Sequence, residues 1–251
     1  MKDVTMKIDQ TYAEITLNRP EKLNAISPEM LDKIMGFISE LEERKEVRVV
    51  IIRGSGGNFS SGADLAGIGR FSSREAMHFH RKMNSLARMM NHSGMIFIAV
   101  LEGYALGGGF ELSLSADIRI CSSGAILGQP EIKMGLNAGA GGNAILPRIA
   151  GRGNAMYMVL TGEKVNAERA RELGIVQVVC NEDSIEREVL KLVETICSAP
   201  EISTSMAKLS INGAQESSVD YSLEIEALVF SMLADRPEVR ERIKKFLKQG
   251  I

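Results

Sequence analysis

The chain of 251 residues has no clustered cysteines, no surplus of charge and no long apolar run. Its three cysteines, Cys121, Cys180 and Cys197, are odd in number and far apart. That excludes a disulfide-stapled scaffold and fits a reducing compartment. A net charge of −2 gives no footprint for nucleic acid or an anionic membrane. The most apolar stretch, Met95 to Leu101, ends at Glu102, far short of the ~20 residues that span a bilayer. The opening Met1-Lys2-Asp3-Val4 lacks the apolar core of a signal peptide. His78 and His80 lie two apart, so on a helix they share no face; the expectation is a solvated helix and no metal site. There is no internal repeat and no low-complexity linker. Together these absences predict a cytoplasmic protein without a membrane or nucleic-acid partner.

What is present reads as a layered α/β chain. Val4, Met6 and Ile8, then Ala13, Ile15 and Leu17, alternate with polar residues and predict a strand pair turning near Gln10-Thr11. Ser27-Pro28 starts a helix whose apolar face is Leu31, Ile34, Ile38 and Leu41. Val47 to Ile52 and Met95 to Val100 read as strands buried on both faces. Ser72 with Glu75 forms a capping box for a helix running to about His92. A short helix from about Gly109, a strand over Asp117–Cys121, a helix around Ala144, a helix over 166–173 and a strand over 175–179 follow. From about Asp183 the pattern is helical only. The spacing therefore predicts two units: a mixed body over 1–182 and a helical region over 183–251.

Glycine numbers 24, roughly 10% against a typical ~7%, and it clusters in loops. The densest cluster is Gly107-Gly108-Gly109-Phe110-Glu111, with Pro130-Glu131 twenty positions on. Glycines let a backbone approach a ligand and leave N–H groups exposed. Amide donors that can hold a developing oxyanion, beside two acids that can move protons, suit chemistry next to a carbonyl. The apolar neighbours Phe110, Leu112 and Ile132 predict that both carboxyls titrate nearer neutrality than usual.

Several segments carry a resemblance. They are Asn18-Arg19-Pro20-Glu21-Lys22-Leu23-Asn24-Ala25, Phe59-Ser60-Ser61-Gly62-Ala63-Asp64-Leu65, Gly103 to Leu112, Gly128-Gln129-Pro130-Glu131-Ile132, Gly139-Ala140-Gly141-Gly142 and Asp235 to Arg240. In this order and spacing the chain resembles the enoyl-CoA hydratase/isomerase (crotonase) family. The resemblance implies a spiral of strand-strand-helix turns with a C-terminal helical trimerisation region. It implies an acyl-CoA substrate whose thioester oxygen is held by the N–H groups of Ala63 and Gly108. It implies Glu111 and Glu131 as the acids that hold and activate water, so that a 2-trans-enoyl-CoA becomes a 3-hydroxyacyl-CoA. Lys22, Leu23, Ala25, Asp64 and Leu65 would line the CoA path. No cofactor is implied, because coenzyme A is part of the substrate, and the assembly would be a homotrimer or homohexamer. One departure is Asn143-Ala144-Ile145, where many members carry Thr-Gln-Arg.

Other readings are weighed. One is a catalytically dead CoA-binding or assembly subunit, against which both intact glutamates speak; within enzymes the alternative is an isomerase or another acyl-CoA lyase or hydratase of the same type. A 3,2-enoyl-CoA isomerase of the family can use the acid at Glu131 alone; retention of Glu111 favours hydration. Some relatives bind RNA through a lysine-rich first helix. Here that helix carries Glu29, Asp32, Glu40, Glu42 and Glu43 against Lys33, Arg44 and Lys45, and phosphate binding needs clustered positive charge.

Overall fold

A computed structural model describes residues 2–64, 67 and 71–248. Strands β1 (Val4–Asp9) and β2 (Tyr12–Leu17) form the expected hairpin, with Val4 opposite Leu17 and Gln10 at φ +48° in the turn. Then follow α1 (Pro28–Glu42), β3 (Val49–Gly54), α2 (Ser73–His92), β4 (Ile96–Leu101), β5 (Tyr104–Leu106) and α3 (Gly108–Leu114). The middle of the chain is β6 (Ile118–Ser122), β7 (Ile126–Gly128), a 3-10 turn over Pro130–Met134, α4 (Leu146–Ala150) and α5 (Arg152–Thr161). Strand β8 (Lys164–Asn166), α6 (Ala167–Glu172) and β9 (Val178–Cys180) lead into α7 (Ile185–Ser198), α8 (Glu201–Ala214), α9 (Val219–Ala234) and α10 (Pro237–Lys248).

The capping residues act as the sequence predicts. Ser27 Oγ accepts from Met30 N ahead of Pro28, and Ser72 with Glu75 forms a complete capping box. The six-stranded sheet has the order β1-β2-β3-β4-β6-β9, parallel from β2 onward. A second sheet, β5-β7-β8, stands beside it. Each pass of the chain gives one strand to the large sheet and one to the small, β4 then β5, β6 then β7, which is the expected spiral.

Strand parity explains why β3 and β4 are continuously apolar. Val50, Ile52, Phe97 and Ala99 join the core under α1 and α2, with Ile34, Ile38, Met83 and Leu86. Val49, Ile51, Ile98 and Val100 face the other way, against Ile185, Val189 and Val193 of α7. Helix α7 is thus the second layer of the sandwich. The helix expected around Ala144 begins at Leu146 instead, because Gly141 (φ +130°) makes a turn whose carbonyl accepts from Ala144, Ile145 and Leu146. The strand expected over 175–179 is confined to Val178–Cys180, paired with Ile120–Ser122. Helix α8 is tied down by Lys208, while α9 and α10 bury no residue. No described helix is long and apolar enough to cross a membrane.

Candidate active site

The site begins where two loops meet. Ile26 N donates to Gly62 O (2.8 Å) and Asp64 N to Ile26 O (2.9 Å), so both peptides flanking Ala63 are committed to one neighbour. The intervening Ala63 N turns toward Gly108 and lies 3.4 Å from where a Cβ on Gly108 would stand. Gly108 opens α3, where N–H groups have no intrahelical acceptor. Among the described residues neither Ala63 N nor Gly108 N meets an acceptor, so two unengaged amide donors lie close together. Gly62, at φ +113°, makes this approach possible: a Cβ there would stand 3.0 Å from Leu106 O and 3.5 Å from Gly108 N. Gly107, at φ +51°, leaves room for the second acid: a Cβ there would stand 2.9 Å from Glu131 Oε1.

Helix α3 then delivers Glu111 in its first turn, 2% exposed. Its Oε1 accepts from Ala140 N at 2.7 Å and Gly142 N at 2.9 Å. Burial raises the Glu111 carboxyl above its ordinary value; the amides of Gly142 and Ala140, and then the His80 imidazole, work against that rise. Asn143 braces the amide loop by donating to Asn137 Oδ1 (2.9 Å) and Ala138 O (3.2 Å). Glu131 sits in the 3-10 turn. Burial pushes its carboxyl up to about 7, its own backbone amide opposes this, and the Glu111 charge adds to the rise. Gln129, 1% exposed, donates to both Glu131 oxygens (3.1 and 3.2 Å) once its amide nitrogen faces them.

The raised carboxyl has a consequence for stability. Between about 4.5 and about 7 the folded protein holds a proton on Glu131 that the unfolded chain has lost. Stability therefore falls as pH rises through that window, and the full cost persists above about 7. Glu131→Gln carries no such cost. Thermal melts should show the variant more stable than the parent at about pH 8, with the gap closing by about pH 4.5. An unchanged gap at both pH values would contradict the burial of this carboxyl.

The structure brings Ala63, Gly108, Glu111 and Glu131 together. Lys22 and Asp64 also meet, Nζ to Oδ2 at 3.5 Å, and Arg19 reaches the same oxygen at 3.0 Å. Burial disfavours the Asp64 charge, yet the Arg19 hydrogen bond and the Lys22 and Arg19 charges hold the carboxyl below its ordinary value. Leu23 (φ +48°) is 42% exposed at the mouth of this turn, and buried Ala25 offers its carbonyl to Arg19 at 2.8 Å. Leu65 and most of 67–70 lie outside the described residues. Among the described residues no cluster of His, Cys, Asp or Glu could hold a metal.

Several functional neighbours were not legible in sequence. Arg19, Gln129 and the Ala140 and Gly142 amides each lay in a quoted motif, but their partners are 29 or more residues away or depend on one amide's orientation. His80 corrects an expectation. His78 is exposed, but His80 is not on a solvated face: its Nδ1 is buried against Gly139 and has no partner among the described residues.

Comparison with known proteins places the whole chain among relatives. The family described as enoyl-CoA hydratase/isomerase matches residues 7–250. The chain is 30% identical over 248 residues to a crotonyl-CoA hydratase of Syntrophomonas wolfei, covering 98% of this chain and 95% of that protein. It is 29% identical over 250 residues to a short-chain-enoyl-CoA hydratase of Clostridium acetobutylicum, covering 99% and 96%. Among solved structures, an enoyl-CoA hydratase from Thermoplasma volcanium superposes with a TM-score of 0.92 at 41% identity, covering 98% and 97% of the two chains.

Proposed function

The chain belongs to the enoyl-CoA hydratase/isomerase family, and from that premise we propose that it adds water across the double bond of a 2-trans-enoyl-CoA, giving a 3-hydroxyacyl-CoA. The observation that carries this reading is the placement of two carboxyls, both raised by burial, beside a pair of neighbouring main-chain donors.

In the proposed mechanism the thioester oxygen sits between Ala63 N and Gly108 N. When the α-carbon becomes enolate-like, charge gathers on that oxygen, and donors already in place meet it without reorganisation; one such donor is worth roughly 3–4 kcal/mol. The carboxyls hold one proton between them near neutrality, as a coupled pair does. The amides of Ala140 and Gly142 favour a charge on Glu111, so the proton resides on Glu131. Glu111 then accepts a proton from water as its oxygen attacks the β-carbon, and Glu131 gives its proton to the α-carbon. Glu111 returns the proton through the next water, and Glu131 is reprotonated from solvent.

Lys22, Leu23, Ala25, Asp64 and Leu65 line the coenzyme A path in this reading. Residues 1–182 form the catalytic body and 183–251 the oligomerisation region of a homotrimer or homohexamer that works in the cytoplasm without a further cofactor. Double-bond isomerisation of a 3-enoyl-CoA is the alternative, and needs only the acid at Glu131; the amide-held second carboxylate favours hydration.

Crotonyl-CoA tests this. Hydration removes the conjugated thioester chromophore, so absorbance should fall and the product should be heavier by one water. A rise of absorbance from a 3-enoyl-CoA, with crotonyl-CoA untouched, would select the isomerase instead. Inertness toward both would end the reading.

A further inference from the structure

Arg119 lies in the interior of β6 and is 4% exposed. Arginines are seldom buried so fully without a carboxylate partner. Among the described residues none pairs with this one: adjacent Asp117 is taken by Lys208 at 2.9 Å. Its donors go to main-chain carbonyls instead. Nη1 donates to Ser113 O (3.2 Å) and Ala116 O (2.5 Å), and Nε to Ile175 O (2.6 Å). Burial pushes its pKa down to about 10, so it remains charged near neutrality.

One of those carbonyls, Ser113 O, is in the last turn of α3, and Ala116 O lies two residues beyond the helix, in the turn that ends it. This helix has seven residues, all buried, with Gly108 first and Glu111 fourth. At 1.5 Å per residue it is about 10 Å long, too short to hold itself. Ser113 and Ser115 hydroxyls bond back to the helix's own carbonyls and anchor it to nothing else. Among the described residues Arg119 is the one side chain from outside that grips this end. It stands on a strand hydrogen-bonded on both sides, to β4 and β9. A cation there also complements the negative end of the helix dipole.

We propose that Arg119 is a positioning residue for the reaction: it fixes α3 along its axis against the sheet, and so sets where Gly108 N and Glu111 stand relative to the thioester. The argument rests on the hydratase reading given above. A helix free to slide by a fraction of an ångström would still bind the acyl-CoA through the coenzyme A arm. It would meet the developing oxyanion poorly.

The test uses Arg119→Lys, which keeps charge but loses the planar fork, and Arg119→Met, which loses both. Two readouts are needed. One is steady-state hydration of crotonyl-CoA. The other is the absorption of a bound cinnamoyl-CoA bearing a para-dimethylamino group, which moves to the red as the carbonyl is polarised. Arg119→Met should lose about tenfold in kcat with KM changed by less than about threefold, part of the ~10²–10³ that deleting a donor costs. Its red shift should shrink, and Arg119→Lys should fall between it and the parent. A folded Arg119→Met with a lower melting temperature but parental kcat and an undiminished red shift would overturn the proposal, since the contact would then only stabilise. If Arg119→Met does not fold, Arg119→Lys decides by the same criteria. Failure of both to fold counts against a role in positioning. A parent protein that neither hydrates crotonyl-CoA nor shifts the probe would sink the hydratase reading, and this inference with it.

Discussion

Replacing either candidate acid by its amide should depress hydration of crotonyl-CoA by about 10³, within the ~10²–10⁴ attributed to positioned proton transfer, while acyl-CoA affinity stays within about threefold. The two parts of the expectation have separate causes. In Glu111→Gln the side-chain oxygen can still accept from Ala140 N and Gly142 N, so the loop stays in place and only the proton acceptor is lost. In Glu131→Gln the carboxyl that titrates at about 7 is replaced by a group that cannot give up a proton to carbon. The proposed donors for the thioester oxygen are main-chain N–H groups of Ala63 and Gly108, which neither substitution removes. Affinity should therefore survive where turnover does not.

The pH dependence follows from the same assignment. Hydration needs Glu131 protonated, so kcat/KM should decline as pH rises past about 7. Glu111→Gln, which also removes the neighbouring negative charge, should move that decline to lower pH in its residual activity, because the Glu111 charge helps to raise the Glu131 carboxyl. Steady-state kinetics with isothermal titration of a non-reactive acyl-CoA would check each part. Near-parental turnover in either variant would show that the two-carboxylate mechanism is wrong.

How much of this was readable beforehand depends on the range over which each feature is encoded. Helix α1 and strands β3 and β4 are written locally: a cap, a 3.6-residue repeat, a run of β-branched residues. The small sheet β5-β7-β8 is not, since its strands have three residues each and show no period. Helix α5 was missed because its apolar residues, Met156, Tyr157 and Leu160, do not gather on one buried face. The acids and the triple glycine were legible as residue types. What was not legible is what holds them. The Glu111 carboxylate depends on amides 29 and 31 residues away, and those amides donate only because Gly139 and Gly142 leave room for the side chains of His80 and Gln129. The local pattern around Arg119 gives a strand and no role for its charge; the proposed role follows from a helix end that the fold brings beneath it.

The helices beyond residue 200 should prove indispensable, and the protein should behave as three or six chains in solution. Helix α8 is fastened by a buried lysine: Lys208 Nζ donates to Met90 O (2.6 Å) and Met95 O (2.7 Å), pairs with Asp117 at 2.9 Å and lies over the Phe97 ring. Cutting the chain near residue 200 removes that cation and strands the largely buried Asp117, a loss of about 3–5 kcal/mol by the measure of other broken buried pairs. Beyond α8 the reason for assembly is different. Phe230 and Met232 are 75% and 69% exposed, Leu223 and Leu228 are exposed as well, and Ile225 and Val229 are only half covered. These residues spread around α9 and do not form one stripe, so no single surface of the same chain could cover them all. An apolar helix of this kind needs a neighbouring subunit. Light scattering at micromolar concentration should give a mass of three or six chains, and a fragment ending near residue 200 should be insoluble or inactive. A single-chain mass, or a soluble fragment that hydrates crotonyl-CoA at the full rate, would refute this assignment of the C-terminal helices.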